Sequence, residues 1–402
     1  MKTPVLPLAG AHIVCCAPNP WDDIWRNRQH IFSRLARANT VLYVEPRLYS
    51  LADVRRGEVP AEAWRAPRLR HWRDGLWLYR HPVWAPRTNW PGLRTLLRGL
   101  RGRAVRAAMA QLRFRDPIAW FFQPKDTELL GRLGERLVVF HIVDEYAAFR
   151  YHSPAAQAAL REQEQQLLPR ADLVITTSRA LWDTKRQLNP QTVLVPNGVD
   201  FAAYEQVRQA GLPPPDDLAS LPRPVIGYAG HISVRLDLTL LVELARRRPD
   251  WSVALVGSLW DKGCEAELAC LRALPNVHFL GAKPAEAMPA YIAGFDAALI
   301  PYRPGEETQH ISPIKLYEYL AAGKPIVTVD MPALDGFRHL VRLADSPAGF
   351  LAGVEAALSD TAPPAVAERL SVAAQHTWDR RVEQIAAFVR ARLDGQSVRG
   401  DE

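Results

Sequence analysis

Short apolar runs alternate with amphipathic stretches along this chain, and the alternation breaks once and starts again. Runs at 11–17, 40–45, 76–80, 117–123, 136–143, 171–177 and 192–195 are separated by helical patterns that include 24–38, 92–113, 154–168 and 179–188. Such a rhythm predicts parallel sheets covered by helices on both faces. Residues 209–224 then carry Gly211, Pro213 to Pro215, Asp216, Asp217, Pro222 and Pro224, the composition of a linker. Strand patterns resume at 224–229, 252–257, 277–280, 297–301 and 325–329, with helices at 236–248, 264–273, 285–295 and 313–322. A length of 402 residues suits two such units. The expected fold class is α/β, with two Rossmann-like doubly wound domains facing across a cleft. Residues 1–208 form the first domain, 209–224 the linker and 225–375 the second domain. The helical pattern at 364–394 is longer than a closing helix needs, so 376–402 is expected to cross back to the first domain. Ligands then belong at the carboxyl ends of the strands, in the cleft.

Composition narrows the class. With 48% hydrophobic and 23% charged residues the chain is globular, neither disordered nor fibrous. Its four cysteines are too few for a disulfide scaffold. Cys15 and Cys16 are adjacent and Cys264 and Cys270 six apart, spacings that fit neither zinc nor a redox pair. A reducing, cytoplasmic setting is expected. Met1 to Trp21 superficially resembles a signal peptide, but Pro4, Pro7, Pro18 and Pro20 interrupt it, and 11–17 reads better as a buried first strand. No other uninterrupted apolar stretch approaches the ~20 residues of a membrane span. No compact acidic or histidine cluster has metal-ligand spacing, so neither metal nor other cofactor is expected.

The net charge of +7 is unevenly spread. Residues 54–115 hold 15 Arg and only Glu58, Glu62 and Asp74, a net of +12, which leaves −5 for the remainder. Five of the 12 Trp fall in the same insert, at 64, 72, 77, 84 and 90. Arg94, Arg98, Arg101 and Arg106 could share one face of the 92–113 helix, beside Leu93, Leu96, Leu97 and Leu100. Arginine and indole beside an amphipathic helix suit a membrane surface or an anionic lipid-diphosphate. Packed tryptophans with a solvated arginine face are the competing reading. Nucleic acid uses the same residue types, but no recognised nucleic-acid module is present, and it is not the expected partner.

Several segments could carry chemistry. In Ser312-Pro-Ile-Lys-Leu-Tyr-Glu-Tyr-Leu-Ala-Ala-Gly-Lys-Pro-Ile-Val327, Ser312 suits an N-cap, Pro313 the first helical position and Gly323 the C′ position. The start of such a helix attracts phosphate, and Lys315 in its first turn would add a cation. Glu318, three residues on, could accept hydrogen bonds from a ribose diol. An ordinary i, i+3 surface pair explains Lys315 and Glu318 equally well. In Gly230-His-Ile-Ser-Val-Arg-Leu-Asp237, glycine permits close approach to a diphosphate, Arg235 offers a planar fork, and His231 could touch the ligand. Gly257-Ser258 and Gly281-Ala-Lys283 end the next strands and would line a base pocket. Asp144, in Phe140-His-Ile-Val-Asp-Glu-Tyr-Ala-Ala-Phe149, follows a buried strand at the cleft and could serve as a general base. Capping of the next helix by Asp144 or Glu145 is the alternative. In the loop Pro18-Asn-Pro-Trp-Asp-Asp23 and the helix start after it, Arg26, Arg28 and His30 could meet an anionic acceptor or face solvent.

An ordered set of segments carries a resemblance. Asn197-Gly-Val-Asp200, Gly227-Tyr-Ala-Gly230, Val256-Gly257, Asn276-Val-His-Phe-Leu-Gly281, Tyr291-Ile-Ala-Gly-Phe-Asp296 and the 312–327 block resemble the GT-B glycosyltransferases, family-4-type bacterial enzymes of cell-surface polysaccharide synthesis in particular. The likeness is strong from about 171 to 330 and weak over 50–115. It implies a nucleotide-sugar donor held by the helix of Glu318, with that acid on the ribose, Ile314 and Ser312 nearby and a basic residue in the loop of Arg235. It also implies a second Glu eight residues before Glu318, near the donor sugar, where this chain has His310. Inverting relatives place an Asp after the strand that Asp144 follows.

The expected function is therefore a metal-independent, hexosyltransferase-type transfer from a nucleoside-diphosphate sugar to a lipid-linked or surface glycan, at the inner face of a membrane. A nucleotide-sugar epimerase on the same fold, or a non-catalytic glycan- or membrane-binding partner, remains the alternative.

Overall fold

In the computed structural model, which describes residues 6–46, 48–66, 68–84, 90–124, 129–149 and 152–398, the apolar runs become strands because both faces of each are covered. Leu137–Ile142 is buried at all six positions, and Val225–Ala229 and Ser252–Val256 at all five. Continuous rather than alternating burial is the mark of a parallel sheet roofed on both sides.

The chain divides into two compact units, Met1–Val195 with Val382–Glu402, and Pro196–Arg381. The first holds an eight-stranded sheet built from β1 (His12–Cys16), β2 (Thr40–Val44), β3 (Leu69–Arg73), β4 (Leu76–Tyr79), β5 (Ile118–Phe121), β6 (Leu137–Ile142), β7 (Leu173–Thr176) and β8 (Thr192–Leu194). Their order is β3-β4-β2-β1-β5-β6-β7-β8, and β1 pairs with β2 on one side (Val14 opposite Leu42) and β5 on the other (Val14 opposite Ala119). All pairs are parallel except β3 with β4.

The second unit holds a six-stranded parallel sheet of β9 (Val225–Ala229), β10 (Ser252–Val256), β11 (Val277–Gly281), β12 (Ala297–Ile300), β13 (Ile326–Thr328) and β14 (Val341–Leu343), ordered β11-β10-β9-β12-β13-β14. Here the order reverses at β9, between β10 and β12. A doubly wound sheet opens its ligand crevice at such a reversal, beyond the carboxyl ends of the strands.

The structure corrects four expectations. Residues 209–224 are not a linker: the helix Phe201–Ala210 ends at Gly211 with φ +58°, a short helix spans Asp216–Ala219, and Leu218 is buried. All of it belongs to the second unit, and the division falls at Val195/Pro196. Asp217 accepts hydrogen bonds from Lys283 at 2.6 Å and Tyr291 at 2.7 Å, which ties this stretch down despite its prolines. The 364–394 stretch is two helices, Pro363–Ala373 and Trp378–Leu393, the second starting in one unit and continuing in the other from Val382. The insert contains β3, whose half-exposed Leu-Arg-His-Trp-Arg sequence offers no apolar run to find. Finally, Arg101 is buried within the helix Pro91–Gln111 and leaves the proposed arginine face, while Leu96 is 60% exposed. Residues 67 and 85–89 of the insert lie outside the described residues, as does the side chain of Arg94.

The two readings of the insert tryptophans divide between them. Trp72 packs edge-on against buried Trp21 (ring centroids 5.0 Å), and Trp77 lies against His71 (4.8 Å). Trp64, Trp84 and Trp90 stay 53%, 44% and 57% exposed. Arg55 lies over the ring of Trp90 and Arg68 over that of Trp84.

Candidate functional site

The loop after β9 begins at Gly230, whose φ of +142° strongly favours glycine. A Cβ there would collide with the Lys315 side chain, and one on Gly257 (φ +149°) would collide with the Gly230 carbonyl. The two glycines thus let two strand ends and a lysine close on one another. The Gly230 N–H donates to Val256 O at 2.7 Å and the Gly257 N–H to Gly281 O at 2.9 Å, stitching the ends of β9, β10 and β11.

Lys315 enters from the helix Ile314–Ala321. Its Nζ stands 5.2 Å from the Tyr228 ring centre and 5.8 Å from that of Tyr302. Burial pulls its pKa down, but Tyr228, Tyr302 and Glu318 outweigh that, so the net shift is upward and the ammonium persists at neutral pH. Glu318 lies one turn further, its carboxyl pushed above the usual range by burial and pulled back only in part by Lys315.

The helix itself departs from expectation at its start. Pro313, not Ser312, is the N-cap, and no side chain caps the helix. Ser312 is buried; its carbonyl accepts from Asn197 Nδ2 at 2.7 Å, and its hydroxyl hydrogen-bonds Tyr317. The far end closes as expected: Gly323 has φ +69°, its N–H reaches Leu320 O at 2.9 Å, and the Lys324 N–H reaches Tyr319 O at 3.0 Å, a Schellman ending.

In the loop, His231 Nδ1 and Ser258 Oγ are 2.8 Å apart, and the His231 carbonyl accepts the Tyr228 hydroxyl at 3.0 Å. The structure therefore brings Gly230, His231, Gly257, Ser258, Lys315 and Glu318 into one contact network. Gly281 joins it through its carbonyl, and Ile314 as the first residue of the helix. Arg235 is in an ion pair with Glu307, and His310 ends the short helix Glu306–Gln309 that carries Glu307. Lys283 is held by Asp217.

Asp144 sits in the first unit, two residues past β6 and partly exposed. It caps no helix. The turn Tyr146–Ala148 begins after Glu145, which gives no side-chain cap and instead holds Lys185 at 2.7 Å, with Glu164 on the same ammonium. Burial raises the Glu164 carboxyl, and the two carboxylates lift Lys185 against the opposing effect of its own burial.

Sequence reasoning missed four groups. Tyr228 and Tyr302 flank Lys315, and Tyr319 accepts the Ala229 N–H at 2.9 Å. Ser233 Oγ, in the loop after β9, is buried with no hydrogen-bond partner among the described residues. The sequence assigns no role to Tyr228, Tyr302 or Tyr319, and Ser233 has no pattern to mark it.

Residues 235–387 match the family described as Glycosyl transferase-like. Over 238 residues the chain is 29% identical to the Bacillus subtilis (strain 168) protein named "Putative teichuronic acid biosynthesis glycosyltransferase TuaH", a match spanning 57% of this chain and 59% of that protein. Among solved structures, Anabaena HepE in complex with UDP and glucose superposes with a TM-score of 0.65 at 14% identity, covering 95% of this chain and all of that one. Sucrose-phosphate synthase from Thermosynechococcus elongatus gives 0.69 at 16%, covering 96% and all of that chain.

Proposed function

We propose that this chain, whose fold is that of GT-B glycosyltransferase structures and whose residues 235–387 match the Glycosyl transferase-like family, transfers a sugar, of hexosyl type, from a nucleoside-diphosphate donor to a lipid-linked or surface glycan. The observation that carries the proposal is Lys315: a protonated amine packed against Gly230 at the sheet's reversal point, in the first turn of a helix whose N-terminus no side chain caps.

The chemistry follows from where charge develops. The acceptor hydroxyl oxygen bonds to the anomeric carbon, the bond from that carbon to the diphosphate oxygen breaks, and the electron pair leaves with the diphosphate. Lys315 and the helix N–H groups stabilise that anion in place, without a metal. Arg235 adds a fork once it exchanges Glu307 for phosphate oxygens. Glu318 takes the ribose diol, and the loop of His231, Ser258 and Gly281 borders the base. Ser312, Ile314 and His310 complete the donor side, with His310 where the family-4 pattern has an acid. The acceptor proton goes to Asp144 in an inverting transfer, or to the departing diphosphate oxygen in a retaining one.

The exposed Trp64, Trp84 and Trp90 in a segment of net charge +12 support peripheral attachment to an anionic membrane face, on the cytoplasmic side. Among the described residues no helix is long and apolar enough to cross a membrane.

The test is a thermal-shift and calorimetric screen of nucleoside diphosphates and their sugars, beginning with UDP, the nucleotide bound in the HepE structure. A ligand of the folded state raises apparent stability by mass action. A saturable shift with at least one nucleoside diphosphate, lost in Lys315→Met, is expected; no shift with any of them overturns the reading.

A further inference from the structure

Away from that site, the first unit has a cavity of about 270 Å³ lined by Asp22, Glu45, Arg68, Arg70, Leu78 and Arg80. It lies at the carboxyl edge of the sheet, where β2 and β4 end and the antiparallel β3 begins. Arg70 stands opposite Leu78, and the Arg68 carbonyl accepts the Arg80 N–H at 2.8 Å. Alternate strand residues share a face, so Arg68 and Arg70 on one strand and Leu78 and Arg80 on the other turn the same way.

The charges in this cavity are unequally matched. Glu45 is buried, taking the Trp21 N–H at 3.0 Å on one oxygen and Arg80 Nε at 3.3 Å on the other. Arg70 pairs with Asp22 at 2.7 Å, but the Asp22 side chain is 61% exposed, and so open a pair exchanges readily for another anion. Among the described residues no carboxylate pairs with Arg68; its guanidinium lies over Trp84 instead, 5.5 Å from the ring centre. Three guanidinium groups therefore face two carboxylates, one of which is buried and already shared with a backbone N–H.

We propose that this cavity is an oxyanion subsite in which Arg68, with Arg70 and Arg80, holds a phosphate or carboxylate group of the acceptor. Planar forks grip such groups through paired hydrogen bonds. A volume of about 270 Å³ leaves room for a diphosphate. The subsite stands on the cavity itself; its assignment to the acceptor rests on the transfer reaction proposed above.

The test titrates the full chain at low salt, in a Lys315→Met, Arg235→Gln background that removes both donor-side cations, with pyrophosphate and separately with glucuronate. The comparison is with the same chain carrying Arg68→Gln and Arg70→Gln, both at exposed positions, with an unchanged melting temperature as the check on folding. Saturable binding that weakens at least tenfold in the doubly substituted chain is expected. Preference for pyrophosphate identifies a phosphate-bearing acceptor, and preference for glucuronate a carboxylate-bearing one. Binding of both anions unchanged by the substitutions, or of neither, overturns the proposal. UDP is titrated in parallel against the chain with Lys315 and Arg235 intact: its failure to bind removes the donor reading and leaves arginine-dependent anion binding standing.

Discussion

Lys315 and Gly230 compete for one small volume: the lysine arm occupies the space that a side chain on residue 230 would need. The loop after β9 and the helix Ile314–Ala321 are in this way fitted to each other through the absence of a single carbon.

Gly230→Ala tests that fit. The backbone at φ +142° disfavours alanine, and the new methyl displaces the Lys315 arm. We expect a stability loss of about 1–3 kcal/mol and loss of the UDP-induced thermal shift. A wild-type melting temperature with wild-type UDP response would show that the loop and lysine are not coupled.

Glu318→Gln separates the ribose from the phosphates. The amide keeps the shape but removes the charged acceptor, so UDP should bind about tenfold more weakly, in line with ~1.5 kcal/mol for a charge-assisted hydrogen bond. Pyrophosphate, which has no ribose, should bind as before. Calorimetry with both ligands decides, and equal losses for the two would remove Glu318 from the ribose.

Glu307→Gln releases Arg235 from its ion pair. If Arg235 serves the diphosphate, the freed guanidinium tightens UDP binding several-fold. Weaker binding in this variant would mean that the pair holds the loop in shape rather than competing with ligand.

Membrane attachment predicts co-flotation of the full chain with anionic vesicles at low salt and release at high salt, because the attraction to the +12 segment is screened. Trp64→Ala with Trp90→Ala, both at exposed positions, should cut the bound fraction several-fold. Absence of flotation at every salt concentration removes the membrane from the function.

His30 and His141, both in the first unit, are held neutral, with pKa values lowered to about 3 by burial and then by neighbouring arginines, Arg34 and Arg28 respectively. A depressed histidine favours the folded state fully above its unfolded pKa of ~6.5 and loses that contribution as pH falls from there toward 3, at up to ~1.4 kcal/mol per pH unit for each. Denaturant unfolding followed between pH 7 and 4 should show this slope, and His141→Phe, beside Phe122, should flatten it. An unchanged slope would place the acid sensitivity elsewhere.

Much of the architecture was legible because buried parallel strands announce themselves as apolar runs. Seven such runs before residue 196 and five after residue 223 all became strands. β3 and β14 escaped because an edge strand needs apolar residues on one side only, and β3 carries Arg70, His71 and Arg73. The proline-rich 209–224 misled because composition reports turns and not whether they are packed: Leu218 is buried and Asp217 is tied to Lys283 and Tyr291. At the site, spacing placed Lys315 and Glu318 on one helix, and the Gly230 loop was recognisable by its glycine. Nothing local in sequence could show that Arg235 faces Glu307, 72 residues away, or that Tyr228 and Tyr302 converge on one ammonium, since those contacts are made by the sheet.

The helix Ile314–Ala321 is sealed at its Gly323 end and bare at its Pro313 end. A serine or aspartate at 313 would seal the bare end as well, adding about 1 kcal/mol to the helix. It would also plant a permanent oxygen where the phosphate is proposed to arrive, so that every nucleotide would first have to evict it. Stability and vacancy are opposed at this residue, and proline, which fixes the backbone and offers no oxygen on its side chain, leaves the seat open.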